Sequence, residues 1–164
     1  MRRDSHKTCR AGAEDAASDE GRGRSVLLPA TLASLLLQLV LGGLVASRYA
    51  GLACPEWPTC NGGVWFPTFG GAVGLHLLHR CNGYLLVLLL LGAAMRARGR
   101  GPLGRALGIS AALGLGQIVV GVLNVRLGLP VEVTGLHTAL AAALVLSLAA
   151  ASSFAFGASS RGKA

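Results

Sequence analysis

Residues Ala72 to Met95 read AVGLHLLHRCNGYLLVLLLLGAAM, an apolar run interrupted by two histidines, an arginine, a cysteine and an asparagine. As a helix rising about 1.5 Å per residue, such a run crosses a hydrocarbon core of about 30 Å. Three further stretches have the same character, roughly Val26 to Ser47, Ala106 to Val125 and Val133 to Phe156, and none of the four contains Asp, Glu or Lys. The 164 residues are 52% hydrophobic and only 13% charged. Soluble domains carry about 25% charged residues, so lipid is the expected solvent. The expected fold is an all-α membrane protein, a four-transmembrane-helix bundle made of two similar helix hairpins.

Working outward, residues 1–25 place Glu14, Asp15, Asp19 and Glu20 among Arg2, Arg3, Lys7, Arg10, Arg22 and Arg24. That composition cannot bury a core and is expected to be disordered. Residues 26–156 then form the membrane domain, with a long loop over 48–71 and a short tail over 157–164. The leader, the loop with Arg96, Arg98, Arg100 and Arg105, and the tail with Arg161 and Lys163 are all basic. Lys and Arg in short flanking segments stay on the cytoplasmic side, so both termini are expected there, with the cysteine loop on the outer face of the cell inner (plasma) membrane. The net charge of +8 is read as topology and attraction to anionic membrane lipid, and no nucleic-acid partner is expected. The first apolar run is too long for a typical cleaved signal.

An internal repeat supports the two-hairpin plan. Gln38-Leu-Val-Leu-Gly42 in the first span corresponds to Gln117-Ile-Val-Val-Gly121 in the third, and Gly74-Leu75-His76 in the second to Gly135-Leu136-His137 in the fourth. Such hairpins can pack about a pseudo-two-fold axis along the membrane normal. Gln38 and Gln117 lie in mid-span, where a buried amide either joins two helices or reaches a ligand.

His76, His79 and His137 lie at similar depth near one membrane face, and ionisable residues at such depth usually serve function. Two neutral imidazoles at one level can hold a haem iron between them. His79 and His137 are taken as that axial pair. His76, one turn nearer the surface, is left to bond a propionate or to act as acid or base. Arg80 must snorkel or pair, and either a propionate or a backbone carbonyl would satisfy it. Zinc is the competing metal, but it wants about four ligands, and Cys81 falls on nearly the opposite helix face from His79.

These residues resemble haem A synthase. The resemblance runs over about residues 35–145. It is carried by Gln38 to Gly42, by the loop Gly51-Leu-Ala-Cys54-Pro-Glu-Trp-Pro-Thr-Cys60-Asn-Gly with Trp65-Phe-Pro, by His79-Arg80, and by Gln117 to Gly121 through Leu136-His137. It implies oxidation of the C8 methyl of haem O to the formyl of haem A for cytochrome c oxidase assembly, with haem b as cofactor and haem O as substrate. It also implies His79 and His137 as axial ligands and Cys54 and Cys60 as the outer-loop cysteine pair. Members of that family usually have eight spans in two halves; this chain matches one half, so homodimerisation is expected to restore the arrangement. The implied partners are haem O synthase and an external electron donor, since the chain carries no nucleotide, flavin or iron-sulfur motif.

One departure bears on catalysis. Active family halves commonly carry a glutamate three residues before the His-Arg pair, where this chain has His76. An acid-base role then falls to His76, to Glu56 folded down from the loop, or to nothing. The alternative is a non-catalytic bis-histidine haem b protein, an electron carrier or a haem-handling assembly subunit. The six-residue separation of Cys54 and Cys60 permits a disulfide without requiring it, and an outer compartment would favour one. Tyr49, Trp57, Trp65, Phe66 and Phe69 gather in the same loop and are read as a lid over a macrocycle, the other reading being an interfacial belt. Cys81 is expected to be buried and Cys9 to be a reduced cytoplasmic thiol.

Overall fold

Among the described residues there are four α-helices, α1 (Asp4–Ser47), α2 (Gly71–Arg96), α3 (Gly101–Arg126) and α4 (Val131–Arg161), and one short 3-10 turn at Ala50–Leu52. The computed structural model describes residues 26–155 with their side chains, and beyond them only helical backbone back to Asp4 and on to Arg161. The expectations for the leader over 1–25, Cys9 included, and for the tail over 157–164 lie outside the described residues. Within the helices, Val26–Ser47, Gly71–Arg96, Gly101–Arg126 and Val131–Ala155 are long and apolar enough to cross a membrane. The protein is therefore an all-α membrane bundle. A lone bridge between Asn61 and Val64 is the only extended pairing among the described residues.

Local chemistry sets the helix ends. Between α2 and α3 the chain reverses through Gly99 at φ 78° and Gly101 at φ 53°, a region that glycine enters without steric cost. α3 begins ahead of the apolar stretch at Ala106 because Pro102 sits in its first turn, where a missing N–H breaks no bond. At the far end the Leu127 and Gly128 amides close back onto the Leu123 and Val125 carbonyls, and Pro130 precedes α4.

Packing is uneven along the bundle. α1 packs on α2, α2 on α3 and α3 on α4, while α1 and α4 barely touch. The main apolar core, built around Leu35, Leu86, Leu90, Leu107, Leu144 and Leu148, lies toward the α2–α3 turn. There a Cβ on Gly114 would stand 2.8 Å from Leu90 Cδ1, so glycine is what lets α2 and α3 approach. Ser110 Oγ and Ser147 Oγ, 2.8 Å apart, tie α3 to α4 at the same end. At the opposite end, across residues 36–47, 115–126 and 131–143, Asn124 alone is buried. Large apolar side chains such as Leu36, Leu88 and Leu146 face outward, as a lipid solvent requires. Cys81 is also exposed, contrary to expectation. Two residues past His79, it is turned roughly 200° around the helix, away from the interior that the histidines occupy.

Candidate functional site

The loosely packed end holds the histidines, and there the internal repeat becomes a repeat in space. A Cβ on Gly42 of α1 would lie 3.2 Å from Cε1 and 3.7 Å from Nδ1 of His79 on α2. A Cβ on Gly121 of α3 would lie at the same 3.2 Å and 3.7 Å from the same atoms of His137 on α4. In each hairpin an imidazole therefore lies edge-on against a bare stretch of helix backbone four residues after a glutamine. This corrects the register read from the sequence. The tripeptides Gly74-Leu75-His76 and Gly135-Leu136-His137 are out of step by about one helical turn, and the true counterparts are Leu78-His79 and Leu136-His137.

Both rings keep coordinating capacity. His79 Nδ1 and His137 Nδ1 are buried without a hydrogen-bond partner, each on the ring edge that faces its glycine. His137 makes no ring hydrogen bond among the described residues, and His79 makes one long contact from Nε2 to the Gln38 amide at 3.4 Å. Nε2 is thus the nitrogen that either ring can offer. No group of three or more His, Cys, Asp or Glu side chains among the described residues is placed to hold a metal ion, which leaves the zinc reading without its donor set.

The glutamines both bridge helices. Gln117 Nε2 donates to the His137 carbonyl at 2.9 Å, while its Oε1 is buried and unpaired. Gln38 Oε1 accepts from Asn82 Nδ2 at 2.8 Å, and Asn82 in turn binds the Ser34 carbonyl at 3.0 Å and the Ser34 hydroxyl at 3.3 Å. Sequence reading missed Ser34 and Asn82. Asn82 carried a signal, since an amide inside an apolar span must find a partner.

Above the histidines the 48–70 loop is held by residues to which the sequence suggested other work. Arg80 donates from Nη1 to the Thr59 carbonyl at 3.1 Å and from Nη2 to the Cys54 carbonyl, fastening the loop to α2. His76 is buried, with Nδ1 2.9 Å from the Ala50 carbonyl; an oxygen that only accepts fixes that nitrogen as the donor. Glu56 does not fold down toward the histidines. Its carboxylate takes the Gly62 and Gly63 amides, each at 3.0 Å, and the Thr59 hydroxyl at 2.9 Å, and so closes its own loop. The Gly63 amide first, then Thr59 and Gly62, hold this exposed carboxyl below the usual carboxylate range.

Cys54 and Cys60 form a disulfide and are fully buried, with Leu77 and Val73 of α2 beneath them. Trp57 Nε1 donates to Tyr84 Oη at 3.0 Å, and Leu129 in the α3–α4 turn presses on Gly51, so the loop touches both hairpins. The aromatic rings themselves stay largely outside. Tyr49 is 95% exposed, and Trp57, Trp65, Phe66 and Phe69 are 42–63% exposed.

The family profile described as "Cytochrome oxidase assembly protein" matches residues 4–149. The chain belongs to that family. Among curated relatives, the Heme A synthase of Methylobacterium radiotolerans is 33% identical over 143 residues, which cover 76% of this chain and 37% of the relative. That of Methylobacterium sp. strain 4-46 is 36% identical over 155 residues, covering 85% of this chain and 42% of its own length. A shorter stretch of 52 residues, 32% of the chain and 17% of the relative, is 46% identical to the Heme A synthase of Halalkalibacterium halodurans. The chain thus spans roughly half the length of these family members. No solved structure matches it.

Proposed function

We propose that this chain binds haem between His79 and His137 and acts in haem A synthesis, oxidising the C8 methyl of haem O to a formyl as one of two copies that together make an eight-span unit. The carrying observation is the pair of equivalent imidazoles at the loosely packed end, each seated on a glycine with Nε2 available. That donor set fits an iron porphyrin, which needs two axial nitrogens and planar space between helices. Bound haem would supply redox-active iron. The residues of this chain supply the rest: His79 and His137 hold and orient the ring, Gln38 and Gln117 join the helices beside them, and lipid-embedded walls exclude water. Two copies related by closed two-fold symmetry would supply the eight helices of that unit. The basic α2–α3 turn supports cytoplasmic termini and an outward disulfide loop in the plasma membrane. Electrons come from an external donor.

A second reading has its own support. The one carboxylate within the four spans is Glu132 in the first turn of α4, Glu56 is committed to its loop, and one nitrogen of His76 is committed to Ala50. Those facts favour a subunit that holds haem b without oxidising a methyl. Expression with a haem O source, followed by extraction and mass measurement of the pigment, separates the two. Haem A among the products supports the synthase; bound haem with no formyl product supports the holder. A folded, detergent-solubilised chain that takes up no haem refutes both.

A further inference from the structure

Building on the assignment of His79 as an iron ligand, we infer that Ser34, Asn82 and Gln38 form a relay fixing the His79 ring in the tautomer whose Nε2 is unprotonated. Gln38 is thereby a positioning residue for one imidazole and not the other. The deduction starts from an atom with a single role. The Ser34 backbone oxygen can only accept, so the Asn82 atom 3.0 Å from it is the amide nitrogen. The same nitrogen lies 2.8 Å from the Gln38 amide, so the Gln38 atom facing it is the oxygen. On the other side of Asn82 the Ser34 hydroxyl, 3.3 Å away, donates to Oδ1 and completes the orientation.

Gln38 therefore turns its nitrogen toward His79 Nε2 at 3.4 Å. A donor facing a ring nitrogen requires a lone pair there, so the proton of the neutral ring sits on Nδ1. This is the form in which Nε2 can ligate a metal. At 3.4 Å the contact is longer than the usual range of about 2.7–3.2 Å, so an arriving iron displaces a weak bond. Nδ1 lies against Gly42 and has no acceptor, a cost that the relay imposes on the ring.

The second hairpin has no such relay. In the register set by Gly42 and Gly121, and by His79 and His137, Leu113 stands in the place of Ser34 and Leu140 in the place of Asn82. Gln117 instead binds the His137 backbone carbonyl and leaves its own oxygen unpaired, so it exerts no hold on the ring proton. Two imidazoles that are packed alike thus differ in how their tautomers are set.

The test uses the full chain in detergent, haem-free and labelled with nitrogen-15 at histidine, with the His79 signals identified by their loss in His79→Ala. The expected result is an unprotonated Nε2 and a protonated Nδ1 at His79. In Gln38→Leu and Asn82→Leu the ring becomes a mixture of tautomers while the His137 signals stay in place. Gln117→Leu, which removes an interhelical bond of the same kind, shifts neither tautomer. With haem added, Gln38→Leu and Asn82→Leu bind about two- to threefold more weakly, because iron displaces the Gln38 contact itself and only the population of rings with a free Nε2 lone pair is lost. A protonated Nε2 at His79 in the unaltered chain overturns the relay, as does an unchanged tautomer in Asn82→Leu. An unaltered chain that shows the expected tautomer yet takes up no haem overturns the haem assignment and leaves the relay standing.

Discussion

Gly42→Ala and Gly121→Ala ask whether the two imidazoles are seated alike. At either position the new methyl would stand 3.2 Å from the ring's Cε1, inside the ordinary contact range of 3.4–4 Å, so the ring must withdraw by a few tenths of an ångström. Two terms oppose each other in stability. Alanine gains about 1 kcal/mol over glycine in a helix interior, and overfilling a packed contact costs about 1–3 kcal/mol. Because this end of the bundle is loosely packed, the cost falls at the low end of that range and the net change is close to zero. Gly43→Ala is the control, since a Cβ there meets nothing within 4 Å. It should keep the propensity gain and raise stability by up to about 1 kcal/mol. Haem affinity separates the variants further: displacing an axial ring should weaken binding about tenfold, near 1.4 kcal/mol, by the same factor at both sites. Haem titration by absorbance, run beside thermal unfolding in one detergent, reads both quantities. Equal stability and equal haem affinity for Gly42→Ala and Gly43→Ala would refute the seating, and a loss at only one of Gly42 and Gly121 would refute the equivalence.

Three further expectations follow from the loop. Arg80→Ala removes two charge-assisted bonds, to the Thr59 and Cys54 carbonyls, each worth about 1.5–3 kcal/mol; residues 48–70 should then lose amide-exchange protection while the packing around Leu90 and Leu148 keeps its own. Replacing Cys54 and Cys60 by serine opens a six-residue separation whose closure entropy is about 2 kcal/mol, and limited proteolysis should find new cleavage between Ala53 and Asn61 with the helices intact. Glu56 supplies a pH dependence. Its carboxyl is held low by the Gly63, Thr59 and Gly62 donors, so its support is fully present above the ordinary carboxylate range and is lost as pH falls through the lowered value. Protection of the Gly62 and Gly63 amides, taken relative to the intrinsic exchange rate at each pH, should fall on acidification in the unaltered chain, and Glu56→Gln should flatten that response.

The helices were legible because a span advertises itself locally: twenty or so apolar residues without a carboxylate admit few other readings. Depth and spacing brought His79 and His137 forward in the sequence, yet the register of the repeat was not legible there. A shared tripeptide drew His76 into line with His137, whereas the spacing from Gln38 to Gly42 and from Gln117 to Gly121 aligns His79 instead. Glutamine and glycine carry that register because they make the contact between helices; a Gly-Leu pair recurs in membrane helices without meaning. What the sequence could not display were bonds closed through space. Glu56 looks like a free carboxylate until Gly62 and Gly63 fold back onto it, and of the two partners open to Arg80 in the sequence, the carbonyls show themselves only when the loop presents Cys54 and Thr59. Asn82 offers no periodicity to read, and its role appears only beside the Ser34 backbone of another helix.

The division of the bundle into two ends explains why such a short chain can carry both stability and chemistry. Near the α2–α3 turn, leucines interlock and Gly114 admits close approach, so van der Waals packing joins the hairpins where lipid offers no hydrophobic drive. At the histidine end apolar packing gives way to polar groups that prefer specific partners, and three of them are left unpaired among the described residues: Nδ1 of His79, Nδ1 of His137 and Oε1 of Gln117. Buried polar atoms without partners cost about 1–3 kcal/mol each, a debt a tightly packed end can carry and a loosely packed one cannot remedy alone. Substitutions at Leu90 or Leu148 should therefore unfold the bundle, and those at Gly42, Gln38 or Asn82 should leave it folded while changing what it holds. A chain in which Leu148→Ala and Asn82→Leu cost the same stability and the same haem affinity would have no such division, and the histidine end would be ordinary helix packing.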